Sequence, residues 1–241
     1  MSDLNFNDFS RDSIVFEDER KELIVKRVMR NVYWWMSLAL ALTGLVAYLI
    51  AHSYTVMTFI VGHPAIIITA CIAELILVIA LSFTIDRLSF TTAFIMFILY
   101  SVINGFTLST IFLTYEIGSI YSTLFVCTIT FVVMALIGSF TKKDLSVIGK
   151  FLMYAVVGLI IALIVEMFRG GDNIIVSIIG VIVFAGLTAY DTQKTKKILS
   201  MQSDEEFSEN TNKISLMCAL SLYLDFINMF LYLLRIFGKK N

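Results

Sequence analysis

Residues 214–236 read ISLMCALSLYLDFINMFLYLLRI, an apolar run with an aspartate near its middle and an arginine near its end. At about 1.5 Å per residue, such a run is long enough to cross a bilayer as a helix. At about 100° per residue, Cys218, Ser221, Asp225, Asn228, Tyr232 and Arg235 fall within roughly a third of the circumference. Leu, Ile, Phe and Met cover the opposite side. A charge at the bilayer centre costs about 2.5–3.5 kcal/mol even on the lenient insertion scale, so this stripe cannot face lipid. It must face other helices or water. The expected place of this helix is the centre of a bundle, with the stripe as the place to look for function.

The rest of the chain agrees with a membrane setting. Of its 241 residues 59% are hydrophobic and 15% charged, with a mean hydropathy of +0.87. A soluble domain is about half apolar and a quarter charged. The expected class is an all-α integral membrane protein. Seven stretches are long enough to span: Val32–Ala51, Pro64–Ile85, Thr91–Leu113, Ser122–Phe140, Phe151–Phe168, Ile174–Tyr190 and Ile214–Leu234. Separate spanning segments must be helices, because lipid offers nothing to hydrogen-bond free backbone. The only proline, Pro64, opens the second span, where a missing N–H does least harm.

Residues 1–30 read as a cytoplasmic N-terminal tail and residues 31–238 as the seven-helix domain. Within the tail, Met1 to Phe16 is expected to be flexible and Glu17–Arg30 to form an amphipathic lead-in helix. With the N-terminus inside, fourteen lysines and arginines lie on the cytoplasmic side. Outside are Arg169, Lys239 and Lys240, which places the C-terminus outside as well. The sizeable loop is Lys194–Lys213, whose SMQSDEEFSENTN segment is acidic and turn-rich. In the absence of an organelle address, a bacterial inner (plasma) membrane is the simplest location.

Several function classes are disfavoured. No basic patch interleaved with aromatics argues for nucleic acid. Cys71, Cys127 and Cys218 lie in apolar segments without CxxC spacing, so they read as buried small hydrophobes. His52 and His63 flank one short loop and read as interfacial residues. No cofactor is implied. There is no GxGD, GxSG or HExxH motif, and the seventh span carries no mid-membrane lysine for a Schiff base, only Lys213 at its entry. An enzyme is not expected.

Four ionisable residues remain in or at the ends of spans: Glu74, Asp191, Asp225 and Arg235. Glu166 and Arg169 close the fifth span and read as an interfacial pair. Glu74, in ACIAELILV, needs either a structural hydrogen bond or a cation pathway. Asp191 ends the sixth span in GLTAYDTQKTKK, and Asp225 lies about eleven residues into a span that enters from the same face. Their depths are compatible. Two carboxylates in reach of each other in a low dielectric do not both ionise cheaply and titrate as a pair. On the third span Ser101, Asn104 and Thr107 lie at i, i+3 and i+6, the spacing of helix–helix glue or of cavity lining, and Gly105 permits close approach. Trp34 and Trp35, with Tyr33, read as an inner aromatic belt.

YDTQ at 190–193, LYLDFINMFLYLLRIFG at 222–238 and NGFTLS at 104–109 together resemble the Bax inhibitor-1 family, over residues 31–238. The resemblance implies a seven-helix bundle with the last helix central, and a likeness to pH-sensitive calcium-leak channels among bacterial members. It places the family's paired aspartates on Asp191 and Asp225, and a latching arginine on Arg87, beside Asp86. The leading expectation is a cation leak, for Ca²⁺, gated by that pair, with Glu74, Asn104, Ser221, Asn228 and Arg235 along the pathway or polar stripe. Asp191 and Asp225 would meet Ca²⁺ only in transit, since hard cations favour oxygen ligands. The alternative is a non-conducting regulator whose loops engage a membrane protease or another membrane protein of a stress response.

Overall fold

The computed structural model describes residues 6–84, 88–169, 173–201 and 209–241. Among them nearly everything is helical: α1 (Phe6–Ala51), α2 (Tyr54–Gly62), α3 (Pro64–Thr84), α4 (Phe90–Leu108), α5 (Ile111–Thr114), α6 (Ile117–Phe140), α7 (Ser146–Arg169), α8 (Ile174–Ser200) and α9 (Glu209–Phe237). Seven segments are long and apolar enough to cross a membrane, in α1, α3, α4 with α5, α6, α7, α8 and α9. They are the seven read from the sequence. Their outward faces are bare Leu, Ile, Val and Phe, as lipid requires.

The last helix is the core. Two-thirds (67%) of the α9 span is buried, against 6% for α3 and 17% for α7. It packs on α1, α4, α6 and α8, and its contact with α8 is the most extensive in the molecule. Without a hydrophobic drive between helices in lipid, such packing depends on close backbone approach and interhelical hydrogen bonds. Gly138 of α6 meets Ala189 of α8, where an added Cβ would sit 2.1 Å from the Ala189 carbonyl oxygen. Gly105 of α4 meets α1 in the same way, 2.6 Å from the Thr43 oxygen. The close approach expected of Gly105 is present.

Several local expectations change. The lead-in and the first span form one helix, α1, which begins at Phe6, within the stretch expected to be flexible. A short helix, α2, fills the segment between the first two spans. The third span breaks after Leu108 and resumes as α5. The sixth continues ten residues past Tyr190 to Ser200, because TQKTKKIL keeps helical periodicity beyond the apolar stretch. Lys194, expected to open the loop, is therefore helical, and α8 ends at Ser200. Trp34 faces outward, as a belt residue should, but Trp35 turns inward, edge-on to Phe94 at 5.3 Å. Cys127 and Cys218 are buried, whereas Cys71 lies on the exposed side of α3, and all three are free thiols. His52 and His63 each bond a carbonyl four residues back in their own helix and lie against Tyr48 and Phe59. They do not form a ligand pair.

Candidate functional site: the α8–α9 seam and the polar network beside it

α8 and α9 run antiparallel, and contacts near both ends fix their register. The Thr195 hydroxyl lies against the Cys218 thiol, and Gly180 lies beneath the Tyr232 ring. Counting inward from either contact sets Asp225 opposite residues 187–188. Asp191 is then about one helical turn, ~5 Å, further along the seam. The two acids thus share one seam about a turn apart, and among the described charges the one that acts on Asp225 is the Asp191 carboxylate. The helix extension to Ser200 keeps Asp191 half-buried in the bundle rather than out among the lysines, with Lys194 one turn away.

Asp225 is 4% exposed, and its Oδ2 makes no hydrogen bond among the described residues. Buried polar atoms nearly always have partners. The other two such atoms are the Thr123 and Thr192 hydroxyls, and Thr192 is the neighbour of Asp191 on α8. The seam therefore concentrates unsatisfied polarity. Arg87, the proposed latch, lies outside the described residues.

The other residues of the stripe divide by depth. Cys218 and Tyr232 are buried, and Ser221 is half-buried. The Asn228 side chain donates to Leu224 O of its own helix at 2.8 Å. Arg235 lies at the far end of the stripe. It pairs with Glu166 of α7, both side chains largely shielded, and Glu166 also accepts from the Asn173 backbone N–H at 3.2 Å. The expected Glu166–Arg169 pair is thereby corrected: Arg169 is exposed, and the shielded carboxylate takes the cation offered by the central helix. The Glu166 carboxylate thus ties α7, α8 and α9 together.

Glu74 also finds partners. Its two oxygens accept from Thr107 Oγ1 at 2.8 Å and from Asn104 Nδ2 at 3.3 Å. The amide oxygen of Asn104 accepts from the Tyr223 hydroxyl at 3.0 Å. The Thr43 hydroxyl lies 2.7 Å from the Tyr223 hydroxyl and 2.9 Å from Ser101 O, with one proton to give to either acceptor. This network joins α1, α3, α4 and α9. Asn104 and Thr107 therefore act as interhelical glue toward Glu74. The Ser101 hydroxyl bonds within its own helix, to Phe97 O. Tyr223 and Thr43 were not singled out in the sequence. Thr43 is a lone polar group in an apolar run, and that isolation is the signal that a partner must exist across a helix interface.

Outside the spans, two ionisable groups are tuned locally. Asp144 Oδ1 accepts from the Ser146 backbone N–H at 3.0 Å and its hydroxyl at 2.6 Å, and these bonds hold its carboxyl below the usual carboxylate range. Lys239 pairs with Glu116 at 2.8 Å, which raises the lysine above its ordinary value. The Glu116 N–H also bonds Lys239 O, so the last residues are laced to the segment before α6.

Residues 25–241 match the family described as "Inhibitor of apoptosis-promoting Bax1". The chain is 45% identical over 214 residues to the inner membrane protein YbhL of Escherichia coli, covering 88% of this chain and 91% of that one. An uncharacterised protein of Borreliella burgdorferi is 37% identical over 225 residues, covering 92% and 96%. The uncharacterised protein RP147 of Rickettsia prowazekii is 39% identical over 223 residues, covering 90% and 91%. The polar central helix, the acidic α8–α9 seam and these matches lead to one assignment: this integral membrane protein belongs to the Bax inhibitor-1 family.

Proposed function

We propose that the protein is a cation leak pathway, with Ca²⁺ as the ion, whose conduction is set by the protonation of the Asp191–Asp225 pair. The observation that carries this reading is the buried Asp225 carboxyl, with an unpartnered oxygen and a second acid as its charged neighbour. Two such acids repel when both are ionised, and a single proton between them removes that repulsion. Moving that proton changes the charge of a seam formed by the two most closely packed helices, which is enough to bias a two-state bundle. In the open state the same carboxylates offer the oxygen ligands that a hard cation needs while it sheds water.

In this reading the protein catalyses no reaction and holds no resident cofactor. It sits in a bacterial inner membrane, consistent with the name of its E. coli relative, with the N-terminus in the cytoplasm and the C-terminus outside. The lysine and arginine bias of the loops supports that orientation. The test is Ca²⁺ flux in liposomes containing purified protein. Wild type should pass Ca²⁺ with a rate that changes between neutral and mildly acidic pH, and Asp191→Asn and Asp225→Asn should each flatten that dependence. No flux above protein-free liposomes at any pH would leave a non-conducting regulator, and the search would then turn to a captured membrane partner.

A further inference from the structure

α1 and α6 both pack on α9 but scarcely on one another, so a furrow runs between them along the outside of the bundle. Near the lysine-bearing end the furrow has a volume of about 560 Å³. Tyr33 and Met36 of α1 form one wall, Val132 and Leu136 of α6 the other, and Phe226 of α9 the floor. Apart from Ser37, Thr128 and Ser139 its lining is apolar or aromatic, and it is open to the lipid side, where Val132 and Leu136 remain about half exposed. Its upper end is Ser139.

Ser139 also borders a second cavity, of about 430 Å³, between Glu22 and Val25 of α1, the end of α6 and the extension of α8. Polar side chains and ammonium groups rim this cavity over a largely apolar lining. Lys196 and Lys197 line it together with Gln193, and the Lys196 ammonium donates to Ser139 O at 3.3 Å, at the junction of the two spaces. A lysine has three donors, so two remain. Gln193 is held by bonds to Leu145 N, Thr141 O and Lys143 O, which makes that wall rigid. Glu22 also borders the cavity; its carboxylate pairs with Lys26 at 2.9 Å and also feels the Lys196 charge.

A cationic mouth in line with an apolar furrow matches an amphiphile with an anionic head. We propose that this composite cleft is a binding site for an anionic phospholipid, with the phosphate at Lys196 and Lys197 and an acyl chain laid between α1 and α6 onto Phe226. A helix from a second copy fits less well, because it would bring its own lysine-rich end into the same plane, like charge against like. Basic pockets between membrane helices at this depth take acidic headgroups, at about 1 kcal/mol per lysine, roughly fivefold in affinity. The lipid would touch the residue next to Asp225, but its binding stands apart from any conduction.

The test is native mass spectrometry of the purified full chain, titrated with phosphatidylglycerol, with phosphatidylcholine of the same chains, and with glycerophosphoglycerol as the headgroup alone. Phosphatidylglycerol should bind best and the bare headgroup should not compete. Lys196→Gln with Lys197→Gln should weaken phosphatidylglycerol by about 25-fold and leave phosphatidylcholine unchanged. Val132→Trp, which fills the furrow from an exposed position, should weaken both lipids. Lys143→Gln with Lys150→Gln removes the same charge from the same face and should change neither. The proposal is overturned if both lysine pairs act alike, if the two lipids bind equally, if the headgroup competes as well as the lipid, or if dimers appear in place of lipid adducts.

Discussion

Replacing Tyr223 with Phe removes one oxygen and no volume, and so isolates the polar network that ties α9 to its neighbours. The lost hydroxyl donates to Asn104 Oδ1 at 3.0 Å and shares a 2.7 Å bond with Thr43. Interhelical hydrogen bonds in membrane proteins average about 0.6 kcal/mol each, so two bonds give about 1.2 kcal/mol. Thr43 can turn its proton to Ser101 O, 2.9 Å away, and is not stranded. The Asn104 oxygen loses the partner that Tyr223 supplied, which brings the upper end to about 3 kcal/mol if no water reaches it. At about 2–4 °C per kcal/mol for a chain of this size, melting in detergent should fall by roughly 3–10 °C. Thr43→Val should cost less, and the two together less than their sum, with a coupling of about 0.5 kcal/mol or more. Strict additivity, or an unchanged melting temperature for Tyr223→Phe, would refute the network.

Other outcomes follow from packing and charge. Gly138→Ala drives a methyl to 2.1 Å from the Ala189 carbonyl oxygen and should destabilise the protein by about 2 kcal/mol or more, while Gly158→Ala, with nothing within 4 Å, should be neutral or slightly stabilising in the same melts. Glu166→Gln removes one carboxylate partner of the shielded Arg235 and should destabilise the protein by about 1–3 kcal/mol, and Glu166→Gln with Arg235→Gln should cost less than the sum of the two single changes. Asp144 has a depressed folded-state pKa, so its anchoring of the first turn of α7 is fully present above the ordinary carboxylate value. It should be lost as pH falls through the lower folded value, seen as faster hydrogen exchange at the Ser146 amide than a neutral reference amide shows, and Asp144→Ala should remove the difference.

Composition and run length were enough for the seven spans, because the bilayer restricts spanning structure to one kind of element and one range of lengths. The centrality of the last helix was legible for a related reason. A stripe holding Asp225 and Asn228 on an otherwise apolar helix has no acceptable lipid-facing rotation, and the structure buries it. Pairings across helices were not legible. Glu166 was matched with Arg169 because they are neighbours in sequence, yet its partner is Arg235, 69 positions away, since the bundle folds the end of α9 against the end of α7. The direction in which Trp35 turns, the exposure of Cys71 and the furrow between α1 and α6 likewise depend on how helices are arranged around α9. Periodicity within one helix does not carry that information.

The claim on which the functional reading rests is that Asp191 and Asp225 titrate as a unit, and isotope-edited infrared spectroscopy of the aspartate carboxyl band across pH tests it most directly. In wild-type protein in lipid the account predicts that Asp191→Asn shifts the titration of Asp225 and that Asp225→Asn shifts that of Asp191. Titration curves for each acid that are unmoved by neutralising the other would contradict it.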